Sequence, residues 1–238
     1  MLKENWHGQF PFNNLSVSRL VVDECASFSN AIPSNLLQYL KWLEELVVEK
    51  CDSLVEVFDL KGLNADEADD VAMIKLKKLH LIDLPMLRHV WNKDPHGILS
   101  FTNLTLLKLQ NCSELTHIFT HSVALGLENL QQMEIKGCSL VEQIIMVGDD
   151  EIVVWEDHKT IFPSLESMSM ECLPSLWSFY SANGVLKCPS LKKIDFIDCP
   201  KMNLFSSTPQ YSSMIIDTKE EALGEDVLLS PLFCCKVS

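Results

Sequence analysis

The chain has 238 residues, 47% of them hydrophobic and 22% charged, with a formal net charge of −14. That is enough apolar material for one sizeable domain or two small ones, and an excess of negative charge that a nucleic-acid backbone would repel. No run approaches the roughly 18 consecutive apolar residues of a membrane-spanning helix, and the opening MLKENWHGQFPF lacks the basic region and apolar run of a secretory signal, so a cytoplasmic location is expected.

In chain order, the first patterned segment is Val17, Leu20, Val22, Cys25, Phe28, Ala31, Ile32, which is apolar at positions 1, 4, 6, 9, 12, 15 and 16. The second, LEELVVEKCDSLVEVF, restarts the same spacing at Leu43 with Cys51 at position 9. An acidic stretch follows at 59–75, with five acids and two bases. The third segment starts at Leu76 and carries Leu84-Pro85 in place of the cysteine; the fourth, LTLLKLQNCSELTHIF, starts at Leu104 and has Cys112. The fifth starts at Leu130, has Cys138, and precedes a second acidic stretch at 146–161 with five acids and one base. The sixth starts at Leu165 with Leu173-Pro174, and the seventh at Leu191 with Cys199, its last position broken by Ser206. Residues 206–238 hold five acids and two bases and are expected to form a disordered acidic tail behind a repeat domain at 1–205.

The starts lie 26, 33, 28, 26, 35 and 26 residues apart, and the two long intervals contain the acidic insertions. Without them the period falls in the range of about 20–29 residues typical of leucine-rich repeats, whose template LxxLxLxx(N/C)xxL the segments match. Positions 4 and 6 alternate, so both point to one face of a short strand. Successive strands then stack in parallel around a continuous core. Position 9 suits a small side chain at the turn inward, and a buried thiol there keeps a weak donor for a nearby carbonyl. The fold class expected is α/β: a solenoid of about seven leucine-rich repeats, with a parallel sheet on the concave face and loops and short helical turns on the convex face. A helix bundle fails, because positions 1, 4, 6 and 9 hold no 3.6-residue stripe and Pro11, Pro85, Pro163, Pro174, Pro189 and Pro200 interrupt the segments.

Positions 3, 5 and 7 of each strand point away from the core and are free to vary. From them the candidate partner-binding residues are Arg19, Asp23, Glu45, Glu49, Lys78, His80, Lys108, Gln110, Glu134, Lys136, Glu171, Lys193 and Asp195. A ribbon of both charge signs with scattered apolar residues suits a protein partner.

Catalytic and cofactor motifs are not found. No glycine precedes a lysine, which removes the phosphate loop, and no GxSxG elbow occurs. His117 and His121 have metalloprotease spacing, but Ile118 stands where the general-base Glu is needed, so they are read as loop histidines. Asp66, Glu67, Asp69 and Asp70 lack the alternation and glycine of a calcium loop. The nine cysteines include no CxxC pair, and free buried thiols are expected. Trp91, Trp155 and Trp177 are read as convex packing or loop residues. No cofactor or metal is expected. At the end of the chain, Cys235-Lys236-Val237-Ser238 fits a prenylation motif, making Cys235 a candidate lipidation site. Lys236 and the absence of an upstream basic patch favour a chance match, and a membrane is a partner only if Cys235 is lipidated.

The phrases LVVDECASFSNAIPSNLL, LEELVVEKCDSLVEVFDLKGLNADE, LKKLHLIDLPMLRHVWNKDPHGILSFTNL and FPSLESMSMECLPSLWSF resemble the C-terminal repeat region of plant intracellular nucleotide-binding leucine-rich-repeat disease-resistance proteins of the coiled-coil subclass. The similarity spans about residues 6–205. It implies a cytosolic immune receptor whose repeats restrain a nucleotide-binding switch and sense pathogen effectors or the host proteins they modify. The implied partners are an effector, a guarded host protein, or the nucleotide-binding domain of a full-length receptor. No phosphate loop, coiled coil or switch domain is present in these residues, so the chain is expected to be a fragment, a truncated paralogue or a decoy that does not signal alone. A substrate-recruiting array of a ubiquitin ligase is the alternative, for which no F-box-like segment is found.

Overall fold

The computed structural model describes residues 17–61, 63, 72–73, 75–91, 95, 98–146, 161–180, 186–202 and 214–215. Its main element is a seven-stranded sheet of five-residue strands: Arg19–Asp23, Glu45–Glu49, Lys78–Ile82, Leu106–Gln110, Gln132–Lys136, Ser167–Glu171 and Lys193–Ile197. The strands follow one another in chain order, and every neighbouring pair is parallel. Each strand covers positions 3 to 7 of its repeat.

The register does not slip. Leu20, Leu46, Leu79, Leu107, Met133, Met168 and Ile194 are matched from strand to strand, and so are Val22, Val48, Leu81, Leu109, Ile135, Met170 and Phe196. Both columns are buried. Each fully buried aliphatic side chain contributes roughly 1.5–3 kcal/mol relative to exposure, and a one-residue slip would turn the whole set outward. That is why the spacing is strict while the residues between are not.

Each strand ends in the same way. The residue at position 8 adopts a left-handed backbone in every coil: Glu24, Lys50, Asp83, Asn111, Gly137, Cys172 and Asp198, with φ between 51° and 66°. In the first six its N–H still donates to the position-7 carbonyl of the next strand, at 2.9–3.2 Å. The ladder thus gains one more bond before the chain turns in. The position-9 thiols follow. Cys51 Sγ donates to the Glu49 carbonyl at 3.2 Å, Cys112 Sγ to that of Gln110 at 3.6 Å, and Cys199 Sγ to that of Ile197 at 3.4 Å. Pro85 and Pro174 fall in the turn just after position 9, outside the strands, where the missing donor costs nothing.

The far side of the first six coils carries more strand than expected. Positions 14–16 form a second set of parallel strands: Asn30–Ile32, Glu56–Phe58 and His89–Trp91 in one group, His117–Thr120, Gln143–Met146 and Ser178–Tyr180 in another. Their β-branched and aromatic residues favour pairing over coil. The expected helical turns are represented among the described residues by a 3₁₀ segment at Ser34–Tyr39 and an α-helix at His121–Gly126. Between the two sides runs a line of aromatic rings. Phe58 and Trp91 both lie against Phe101; Trp91 stacks on Phe119; Phe119 meets Phe162, and Phe162 meets Phe179, with centroids 5.4–6.4 Å apart. Phe101 and Phe162 stand three residues before position 1, as do the buried Leu40, Leu127 and Cys188. Most of the two acidic insertions and nearly all of the expected tail lie outside the described residues.

Candidate functional site

The pleat places all thirteen sequence-predicted partner residues on the face of the seven-stranded sheet opposite the buried columns. They fall into two groups. On the first three strands, Arg19 Nε reaches Glu45 Oε2 at 3.1 Å, and Asp23 pairs with Lys50 at 3.8 Å. Lys78 is exposed and Glu49 half-buried. The centre row here is Val21, Val47 and His80, and Val47 is buried even though it sits on the outer face. His80 Nε2 is buried 4.0 Å from a Glu45 carboxylate oxygen and has no hydrogen-bond partner among the described residues. Burial holds the His80 imidazole below its ordinary value, against the opposing pull of Glu45.

The other seven residues, Lys108, Gln110, Glu134, Lys136, Glu171, Lys193 and Asp195, line one hollow of about 270 Å³ that spans the last four strands. Ser167 and Ser169 lie among them. The two serines explain the hollow. They occupy positions 3 and 5 of the sixth strand, where the neighbouring strands carry Gln132, Glu134, Lys193 and Asp195. Short side chains between longer ones leave a dip in the ribbon. The serines were legible as outward residues, but their importance lies in what they fail to fill.

The charges around the dip are paired among themselves. Lys108 Nζ lies 3.6 Å from Glu134 Oε2, Lys136 Nζ 2.8 Å from Glu171 Oε1, and Lys193 Nζ 2.7 Å from Asp195 Oδ2. Hydrogen bonding to Glu171 and the charge of that carboxylate raise the Lys136 ammonium above its ordinary value; Asp195 does the same for Lys193. Three ammoniums and three carboxylates balance. All of these pairs are at the surface, where an ion pair contributes little to stability, so a partner can exchange them for contacts of its own. The arrangement suits a polar surface carrying both signs and gives no net attraction to a phosphate backbone.

The remaining candidates sit elsewhere. His117 is in the strand His117–Thr120 while His121 opens the following helix, so the two do not share the helical face that metalloprotease spacing requires. The His117 ring lies 6.3 Å from that of His89. Among the described residues no group of three or more His, Cys, Asp or Glu could hold a metal ion. Trp91 is in the aromatic line of the core, Trp177 is exposed, and Trp155 and Cys235 lie outside the described residues. No helix among the described residues is long and apolar enough to cross a membrane.

Comparison with known families gives a match over most of the chain. The model described as plant disease resistance protein RPS2-like, leucine-rich repeats, matches residues 1–139 and 126–212. Comparisons with curated proteins and with solved structures gave no significant match. Leucine-rich-repeat arrays of this kind are interaction modules, and the stacked parallel strands and balanced outer face fit that use. With most of its length matched and its coils in unbroken register, the chain belongs to the RPS2-like leucine-rich-repeat family of plant disease resistance proteins.

Proposed function

We propose that this chain is a protein-recognition module of a plant intracellular immune receptor, acting by binding and without chemistry of its own. Its partner is a pathogen effector, a host protein that an effector modifies, or the nucleotide-binding domain that such repeats restrain. The observation that carries the reading is the charge-balanced hollow over the last four strands, floored by Ser167 and Ser169. A protein loop presenting both signs can replace the three internal pairs one for one, and interfaces of this kind draw specificity from charge complementarity. Nucleotide switching is assigned to the receptor's nucleotide-binding domain, because no residue run here offers a phosphate loop. The working compartment is the cytoplasm, in keeping with seven free cysteines among the described residues.

The test is capture of candidate effectors and of receptor nucleotide-binding domains by the immobilised chain. Lys108→Glu, Lys136→Glu and Lys193→Glu should each lower capture by about tenfold or more while leaving the melting transition in place. Arg88→Glu, outside the seven-stranded sheet and facing Glu114 at 3.9 Å, should capture as the unmodified chain does. Equal capture by all four variants would contradict the reading.

A further inference from the structure

Position 9 carries cysteine in two pairs of neighbouring coils. Cys25 and Cys51 occupy the first and second coils, Cys112 and Cys138 the fourth and fifth. The two pairs share their position in the repeat and differ in access. Cys112 and Cys138 are both fully buried, whereas Cys51 is buried behind a half-buried Cys25. In the first pair the Cys25 backbone N–H donates to Cys51 Sγ at 3.4 Å, while Cys25 Sγ donates to the Asp23 carbonyl at 3.4 Å. Neighbouring coils of a parallel ladder stand about 4.8 Å apart, within the Cα separation of about 4.4–6.8 Å that a disulfide spans. With the Cys25 N–H already on Cys51 Sγ, a turn about the Cα–Cβ bond of Cys25 would bring its sulfur towards that of Cys51.

We propose that Cys25 and Cys51 form a peroxide-responsive pair, in which Cys25 takes the oxidant and Cys51 closes a disulfide that ties the first coil to the second. Cys25 sulfur attacks a hydroperoxide, the O–O bond breaks, and a sulfenic acid and one water (from hydrogen peroxide) result. Cys51 sulfur then attacks Cys25 sulfur; the S–O bond breaks, and the hydroxide leaves with the Cys51 proton as a second water. Two thiols lose two electrons in all, and the peroxide gains them. The order of events follows from access and acidity. Burial pushes the Cys51 thiol up to about 11, which keeps it from reacting first. The cross-link would replace the weak bonds of Cys51 Sγ to the Glu49 and Val22 carbonyls, at 3.2 and 3.9 Å. Among the described residues Arg19–Asp23 has a neighbour in the seven-stranded sheet on one side only, and the cross-link would tie its coil to that neighbour.

The fully buried Cys112–Cys138 pair serves as an internal control. The full chain is exposed to hydrogen peroxide while folded, quenched with an alkylating reagent, unfolded, and mapped without reduction. The expected result is a peptide joining Cys25 to Cys51, at least about tenfold more abundant than one joining Cys112 to Cys138. It should come with a higher melting midpoint that a dithiol reductant reverses. In Cys51→Ser, Cys25 sulfenic acid should persist and be captured by dimedone; in Cys25→Ser, Cys51 should stay reduced. A Cys25 that remains reduced in the unmodified chain would overturn the proposal, as would equal cross-linking of both pairs.

Discussion

Gly137 and Lys50 stand at the same point of two coils, both in the left-handed region, yet substitutions there should act differently. At Gly137, φ is 66°, and an added Cβ would run into Asn111 Oδ1. Asn111 is itself held, its Nδ2 donating to Asp83 Oδ1 at 2.7 Å. Gly137→Ala should therefore lose roughly 1–2 kcal/mol to the backbone and more to the clash, read as a lower urea midpoint. Lys50→Gly removes a comparable strain of about 1 kcal/mol and loosens the unfolded chain by about 0.4–1 kcal/mol, so its midpoint should barely move. Position 8 could not be read from the sequence, because Glu, Lys, Asp, Asn, Gly, Cys and Asp share no chemistry. Only the demand for a positive φ unites them, and six non-glycine residues meet it at a cost that the extra ladder bond and the packing that follows offset.

Among the elements, the five-residue strands were the most legible, since alternation of buried and open residues fixes both their place and their facing. The short outer strands were less so. Val57-Phe58, Val90-Trp91 and Ile118-Phe119 read as apolar closures, and nothing in one coil announces that the next will pair with it. The buried column before position 1 was missed for a similar reason, since it precedes the spacing that defines a repeat. Phe162 shows its weight. It is fully buried between Phe119 and Phe179, at 5.6 and 6.4 Å, and Phe162→Ala should cost about 3–5 kcal/mol in chemical denaturation. The outer strands also carry a pH dependence. Their pairing is interrupted between His89–Trp91 and His117–Thr120, where the two histidine rings meet. Burial, and then the charge of His89, hold the His117 imidazole below its ordinary 6.5. The folded chain thus binds fewer protons than the unfolded one just below that value. The stability associated with neutral His117 is complete above it, falls as the pH drops through it, and levels off below the folded value. Urea midpoints at about pH 7.5 and about pH 5.5 should show this fall, and His117→Gln should reduce it.

At the scale of the whole molecule, each coil in the long sheet touches chiefly the one before and the one after, so stability spreads along a line. The repeat and its family were plain in the sequence because stacking forces the same spacing on every coil. The hollow was not, because it depends on the relative length of side chains on four neighbouring strands. Leu107 and Lys108 put this account to its most direct test, being adjacent in the chain and on opposite faces of one strand. Leu107 is 1% exposed in the stacked column, while the Lys108 side chain is 37% exposed beside the hollow. Thermal melts followed by circular dichroism should find Leu107→Asp without a cooperative transition, a buried unpaired charge costing more than about 4 kcal/mol. Lys108→Glu should melt within a few degrees of the unmodified chain. If the two variants melted alike, the inward and outward assignment on which the stacked coils rest would be contradicted.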